Sequence, residues 1–336
     1  MIKLILGRGL PIVIAILLVF YALRDISFRS IGEQFQEANY GIIVLVGLLT
    51  IVSCFLRGMR WQQPLRVLGY QPSVIRTTVA MQTGVIASMI ILGSGELTRC
   101  ATLQRTDGIP IAQGLGSVVA ERIIDLFMLA IIFLLTILLE FSRMQRYLIG
   151  VSLALPNGYL ITGIVGAVLL LSVGGWLLFR SNTVQKYPFI LKLRTIGQGF
   201  TYGLLAIKRL PQPGVFVTLT LLNQLIAWLG TYLLLLAVDS TQHLPPTVAL
   251  TIMAVSSLGG LAVPTQGGIG TYHFLVSRAL VLYGFTATQG AVIATFMHAV
   301  GFAINVLISS ISFLVLPLLI TRQRSKTAAG ILKQER

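Results

Sequence analysis

The stretch PIAQGLGSVVAERIIDLFMLAIIFLLTILL, residues 110–139, decides the fold. A helix that spans a bilayer needs roughly 20 predominantly apolar residues, and this run exceeds that length. Its only charged residues are Glu121, Arg122 and Asp125, which lie near the middle of the run. We therefore expect a membrane helix here, with its charges close to the bilayer centre and facing other parts of the protein.

The rest of the chain has the same character. Hydrophobic residues make up 55% and charged residues 10% of the 336 residues, whereas soluble domains carry roughly 25% charged residues. Two apolar regions, about 72–92 and 246–283, are interrupted by glycine, proline and polar residues. The uninterrupted stretches predict six spans: 4–23, 40–56, 110–139, 158–179, 214–238 and 287–319.

The basic residues indicate the orientation. The net charge is +15, and Lys and Arg concentrate in the segments 57–76, 180–209 and 322–333. Cytoplasmic loops carry such an excess, so we expect a multi-pass cell-membrane protein whose N- and C-termini are both cytoplasmic. No nucleic-acid-binding module is recognisable, which leaves anionic lipid headgroups as the expected partners of this charge.

The two interrupted regions satisfy this orientation only if each enters and leaves the membrane on the same side. We interpret them as re-entrant helical hairpins, since broken backbone at membrane depth requires burial in protein or a cavity. The segment 197–210 resembles a short helix lying in the interface.

An internal repeat supports the hairpins. A shift of 177 residues places Glu96 on His273 and Glu121 on His298, and the span 40–56 falls within 214–238. The predicted fold class is an all-α integral membrane protein with an inverted repeat. One membrane domain, 1–320, would comprise repeat A (about 40–139), a linker helix (about 158–179) and repeat B (about 214–319), followed by a basic cytoplasmic tail, 321–336.

Candidate functional residues in the first half are charged. Glu96 and Arg99 are three residues apart at the end of the first hairpin, so they share a helix face and can pair. Glu121 and Asp125 share another face, and Arg122 lies three residues from Asp125. Arg99 and Arg122 are candidates for binding a lipid phosphate, and the three carboxylates for a polar cavity or proton coupling. A purely structural ion pair is the alternative for each group.

In the second half the candidates are glycines and histidines. Gly267, Gly268 and Gly270 precede a helix expected to start near Thr271, and free N–H groups at a helix N-terminus attract phosphate. A tight turn for helix packing is the alternative. His273 and His298 are candidates for the same polar cavity or for proton coupling. We expect Arg99 and the glycine amides to hold one phosphate together.

Other kinds of site receive no support from the sequence. Neither Cys54 nor Cys100 has metal-binding spacing, and no nucleophile–base grouping is identifiable. We therefore assign no catalytic residue, metal or cofactor. The basic residues Arg57, Arg60 and Arg66, with Trp61, are interpreted as an interfacial belt that anchors the topology.

Four motifs, in this order, resemble the lysylphosphatidylglycerol synthase transmembrane family, also called the flippase-like domain family: Arg57-Gly-Met-Arg60-Trp61 with Leu68-Gly69, Gly95-Glu96 with Arg99, Glu121-Arg122 with Asp125, and Pro264 with Gly267-Gly268-Ile-Gly270. The resemblance covers about residues 10–320. Within the family, the chain resembles the stand-alone members, which lack the soluble synthase domain. Many members carry an acidic residue where this chain has His273, so a mechanism that requires a carboxylate there is in doubt.

The resemblance implies translocation of a phospholipid or a polyprenyl-phosphate-linked lipid between leaflets. Two alternatives remain open: a non-transporting partner of a lipid synthase or glycosyltransferase, and an intramembrane enzyme that modifies lipids. The sequence does not indicate the oligomeric state.

The topology is testable by cysteine labelling from the two sides of the membrane. In a chain without Cys54 and Cys100, we expect Lys186→Cys to react only from the cytoplasm and His243→Cys only from outside, because an odd number of spans separates them. Labelling of both positions from the same side would contradict the six-span topology.

Overall fold

The computed structural model describes the backbone of residues 28–150, 210 and 212–334, and the side chains of residues 29–145, 210 and 212–320. The described residues form α-helices and short 3-10 turns, without a strand. The helices are α1 (Phe28–Gln36), α2 (Tyr40–Val67), α3 (Val74–Ile90), α4 (Gly95–Asp107), α5 (Ile111–Gly150), α6 (Pro213–Leu236), α7 (Thr247–Ala262), α8 (Thr271–Val281) and α9 (Ala287–Gln334).

Four of these helices are long and apolar enough to cross a membrane, namely α2, α5, α6 and α9. They confirm helices at four of the predicted spans, 40–56, 110–139, 214–238 and 287–319. The predicted spans 4–23 and 158–179 and the interfacial segment 197–210 lie outside the described residues, apart from residue 210.

Each interrupted region is a pair of short helices joined by a glycine turn. In the first pair, α3 ends at Ile90 and α4 starts at Gly95, with Gly93 at φ +78° between them. In the second pair, Gly267, Gly268 and Gly270 have φ of +60°, +77° and +86° between α7 and α8. Residues that carry a side chain rarely adopt such positive φ angles, so the glycines explain why the chain turns here. The first pair extends to Asp107, well beyond the predicted limit at residue 92; its re-entry into the membrane stays a prediction.

The helix order is the same in both halves: a long helix, two short helices and a second long helix. The packing also corresponds, because α3 contacts α9 while its counterpart α7 contacts α5. Close contacts match as well: Gly114 of α5 lies against Cys100 of α4, and Gly290 of α9 lies against Ser277 of α8. These observations favour the internal repeat.

Helices α2 and α6 pack side by side in opposite directions. The Asn39 amide donates to the Ala237 carbonyl at 2.8 Å, and the Ser53 hydroxyl lies 2.6 Å from the Asn223 amide oxygen. Between these contacts, a Cβ at Gly230 would lie 4.0 Å from Val46. The three contacts follow one another at seven-residue intervals, about two helical turns. The two halves therefore share an antiparallel helix pair in addition to the α3–α9 and α7–α5 contacts, which fits an inverted repeat.

Buried apolar residues form two clusters that surround the short helices. The larger cluster joins α2, α6, α7, α8 and α9 and includes Val248, Val276 and Phe296. The smaller cluster joins α2, α3, α4 and α5 and includes Trp61 and Leu103. Large apolar side chains such as Leu138 and Leu314 remain exposed on α5 and α9, which suits contact with lipid hydrocarbon.

The antiparallel register predicts which engineered cysteines form disulfides. In a chain without Cys54 and Cys100, Ser53→Cys with Asn223→Cys and Val46→Cys with Gly230→Cys should cross-link on mild oxidation, detected as linked peptides by mass spectrometry. Ser53→Cys with Gly230→Cys is the mismatched control; it should stay reduced because seven residues displace its partners by about 10 Å. Efficient linkage of the mismatched pair would contradict the register.

Candidate functional site

Three arginines and three acidic residues from α2, α4 and α5 form a closed circle of ion pairs, here called the ion-pair ring. In order around the circle, its members are Arg60, Glu121, Arg99, Glu96, Arg122 and Asp125. Each arginine contacts two carboxylates, and each carboxylate contacts two arginines. The ring as a whole therefore has no net formal charge.

The deep part of the ring centres on Glu121. Its two carboxylate oxygens accept hydrogen bonds from Arg60 at 3.0 Å and from Arg99 at 3.1 Å. All three side chains are at most 5% exposed. Removing one member of a buried ion pair leaves an uncompensated charge, so each of these residues depends on the others.

The outer part of the ring is half-exposed. Arg122 donates to Glu96 from Nε at 3.0 Å and also from Nη2, and its Nη1 lies 3.5 Å from Asp125. The remaining two pairs are Arg99 with Glu96 at 2.7 Å and Arg60 with Asp125 at 2.8 Å. The exposed fraction of the Arg122 side chain is 55%, so this part of the ring is accessible from outside.

The predicted pairs are present only in part. Glu96 pairs with Arg99, and Arg122 with Asp125, as their three-residue spacing suggested. Glu121 and Arg122 have different partners, because adjacent helical residues point to different sides. Glu121 turns towards Arg60 and Arg99, while Arg122 turns towards Glu96.

The interfacial-belt interpretation is wrong for Arg60 and Trp61. Arg60 is 4% exposed, and Trp61 is fully buried. The indole N–H of Trp61 donates to the Ser117 hydroxyl at 3.0 Å, and its ring lies 4.7 Å from the Arg99 guanidinium. The indole therefore supports Arg99 through a cation–π contact. In the sequence, the one sign of a buried role for Arg60 is its three-residue spacing from Arg57 at the end of an apolar run.

A cavity of about 420 Å³ adjoins the ring and is here called the first cavity. Its charged lining residues are Arg57, Glu96, Arg99 and Arg122. Arg57 is half-buried and, unlike the ring arginines, has no carboxylate at ion-pair distance among the described residues. The site therefore combines a neutral ring with one additional guanidinium.

Two glycines let α3 and α4 approach each other closely at the wall of the first cavity. A Cβ at Gly84 of α3 would lie only 2.6 Å from the Gly95 carbonyl of α4, and a Cβ at Gly95 would lie 2.6 Å from the Gly84 carbonyl. Any side chain at either position would push the two short helices apart. Because Arg99 follows one turn after Gly95, this close approach fixes its distance from α3.

The ring joins charges at different places along two spans. On α2, residues 40–56 carry no charge and Arg57 follows; on α5, residues 108–120 and 126–139 carry no charge and the ring residues lie between them. The position of these charges near the bilayer centre stays a prediction.

The histidines occupy the corresponding place in the second half. The ring centroids of His273 and His298 lie 4.7 Å apart. His298, with Gly267, Tyr272, Phe302 and Asn305, lines a second cavity of about 270 Å³. Its Nε2 lies 2.8 Å from the Gly267 carbonyl, which can only accept, so Nε2 carries a proton. Repeat-equivalent positions thus hold carboxylates in one half and imidazoles in the other.

The glycine-rich turn does not present the free amides that its sequence suggested. α8 begins at Thr271 as expected. However, the Gly268 amide donates to the Thr265 carbonyl at 3.2 Å, and the Gly270 amide donates to His273 Nδ1 at 3.4 Å. The expectation of available donors is wrong for these two glycines, because the turn and the imidazole already accept their hydrogens. Phosphate binding by Gly267, Gly268 and Gly270 stays an untested prediction.

The ends of the two helix pairs touch. The Gln266 side-chain amide donates to the Ile90 carbonyl at 3.2 Å. Nevertheless, Arg99 lines the first cavity and Gly267 lines the second. The structure thus brings the two turns together without placing Arg99 and the glycine turn in a single phosphate site.

The fold and this site define a multi-pass membrane protein with a charged cavity between its helices. Comparison with protein families assigns it further: the chain belongs to the family described as the lysylphosphatidylglycerol synthase TM region, whose model matches residues 9–309. This confirms the resemblance inferred from the four motifs. No curated protein and no solved structure is significantly similar to the chain.

The ring predicts strong coupling between buried charges. Glu121→Gln should lower the free energy of unfolding by about 3–5 kcal/mol, because it leaves two buried guanidiniums without their shared carboxylate. The double variant Arg60→Met/Glu121→Gln should lose less than the sum of the two single variants. Reversible unfolding in mixed detergent and lipid micelles measures all three values.

The exposed pair Arg29–Glu33 provides the matched control. The Arg29 side chain is 88% exposed, so Arg29→Gln should cost less than about 1 kcal/mol. Additive losses at Arg60 and Glu121 would show that the two residues are not directly coupled.

Proposed function

We propose that this protein moves a phosphate-bearing membrane lipid between leaflets and holds the lipid headgroup in the first cavity. The observation that carries the proposal is a cavity with three guanidiniums in its walls among long apolar helices. A charged headgroup is costly to transfer through hydrocarbon. Arginines that replace its hydration lower that cost, and their planar guanidinium suits phosphate.

The arrangement of the halves supports transport over simple binding. The antiparallel contact of α2 and α6 fits an inverted repeat, in which one half rocks against the other around a central site. The two turns that touch, at Ile90 and Gln266, lie between the two cavities. Most residues that line the first cavity belong to the first half, and most that line the second cavity belong to the second half. A small relative movement of the turns would connect the cavities and let a headgroup pass while its acyl chains stay in lipid.

The proposal places the protein in the cell membrane with both termini in the cytoplasm. The first cavity then lies towards the cytoplasmic leaflet, because Arg57 and Arg60 of α2 belong to the basic segment 57–76, which we expect on the cytoplasmic side. The proposed role is non-enzymatic.

Filling the first cavity without changing its charge tests the proposal. Val85 lines this cavity on α3, so Val85→Phe should reduce lipid movement to the rate of protein-free vesicles. Fluorescent phospholipids in proteoliposomes, bleached from outside by a membrane-impermeant reductant, report the rate. Ile75→Phe is the matched control, since Ile75 is exposed on the same helix.

Equal rates in wild-type and protein-free vesicles would refute lipid movement by the protein alone. Equal rates in wild type and Val85→Phe, both above the protein-free rate, would show that the lipid takes another path.

A further inference from the structure

The charge balance of the first cavity limits the kind of headgroup that it accepts. The ion-pair ring is formally neutral, and Arg57 adds one positive charge that no carboxylate at ion-pair distance balances among the described residues. A headgroup with one net negative charge would neutralise the site. A headgroup with a net positive charge would add to the imbalance.

Among the described lining residues of the cavity, Glu96 is the acidic one, and Arg99 and Arg122 both lie at ion-pair distance from it. Its Oε2 lies 2.7 Å from Arg99 Nε without hydrogen-bond geometry, so the carboxylate is balanced by charge but keeps one oxygen without a hydrogen-bond donor. Glu121 and Asp125 are likewise each contacted by two arginines. Among the residues whose side chains are not described, Asp25 and Glu335 are the acidic ones, and residues 146–209 contain neither Asp nor Glu.

Donors for an anion are available, in contrast. Arg57 lines the cavity, and no carboxylate of the described residues lies within ion-pair distance of its guanidinium. Arg99 is 4% exposed, and its Nη2 has no hydrogen-bond partner among the described residues. Buried donors are rarely left unmatched, so an unpaired buried guanidinium nitrogen beside a cavity indicates a missing acceptor.

We propose that the first cavity selects lipids whose headgroup has a net negative charge and no ammonium group, and that Arg57 binds the headgroup phosphate. This inference rests on the proposed function in taking a lipid as the ligand. The proposed ligand therefore differs from lysylphosphatidylglycerol, the lipid that the family is named after. Esterification with lysine adds ammonium groups, and each carboxylate at this cavity already has arginine partners.

Competition between defined lipids tests the selectivity. The purified protein is exchanged into nanodiscs of phosphatidylcholine that contain small equal amounts of phosphatidylglycerol and lysylphosphatidylglycerol, and the retained lipids are counted by native mass spectrometry. We expect phosphatidylglycerol to be enriched roughly tenfold over each of the other two, the factor that one charge-assisted hydrogen bond supplies.

Variants of α2 separate Arg57 from general surface charge. Arg57→Gln should abolish the enrichment of phosphatidylglycerol, and Arg57→Lys should restore part of it. Arg66→Gln removes the same charge from an exposed position of the same helix and should keep the full enrichment. An unchanged melting temperature in detergent shows that each variant is folded.

The outcomes distinguish this inference from the proposed function. Retention of lysylphosphatidylglycerol at or above phosphatidylglycerol overturns the selectivity, and an unchanged preference in Arg57→Gln overturns the role of Arg57. Binding of inorganic phosphate without any lipid preference overturns the assignment to a lipid. Enrichment of phosphatidylglycerol without transport in vesicles supports the inference and refutes only the proposed movement.

Discussion

The ion-pair ring is the constraint on which the arrangement of the first half depends. Glu121 is inaccessible to solvent and is stable as a carboxylate only because Arg60 and Arg99 reach it from two other helices. Those arginines in turn require Glu96 and Asp125 as second partners. Because ion pairs are strong at low dielectric and an unmatched charge is costly, α2, α4 and α5 have little freedom in their mutual position.

The corresponding helices of the second half meet at two histidines and at a close glycine contact. The short helices of this half meet α9 through His273, His298 and the contact of Gly290 with Ser277. Where α4 and α5 place carboxylates between guanidiniums, α8 and α9 place imidazoles beside aromatic rings. Two halves with one helix order therefore enclose cavities of different chemistry: arginines and Glu96 line the first, and His298 with aromatic rings lines the second.

Hydrophobic length alone was enough to predict four of the long helices, because a run such as 110–139 has few other stable environments. The pairs Glu96–Arg99 and Arg122–Asp125 followed from spacing on one helix. The roles of Arg60 and Trp61 did not, since their partners Glu121 and Ser117 lie 61 and 56 residues away in the chain. Nor does a glycine-rich sequence reveal that a neighbouring carbonyl and an imidazole have already taken its amide hydrogens.

The unequal chemistry of the halves has a mechanical consequence. Ion pairs resist both sliding and separation, and α4 is joined to α5 by two of them, Arg99–Glu121 and Glu96–Arg122. Neutral contacts such as His273 against His298 tolerate small displacements at much lower cost. We therefore expect the contact between α4 and α5 to resist displacement more strongly than the contact between α8 and α9.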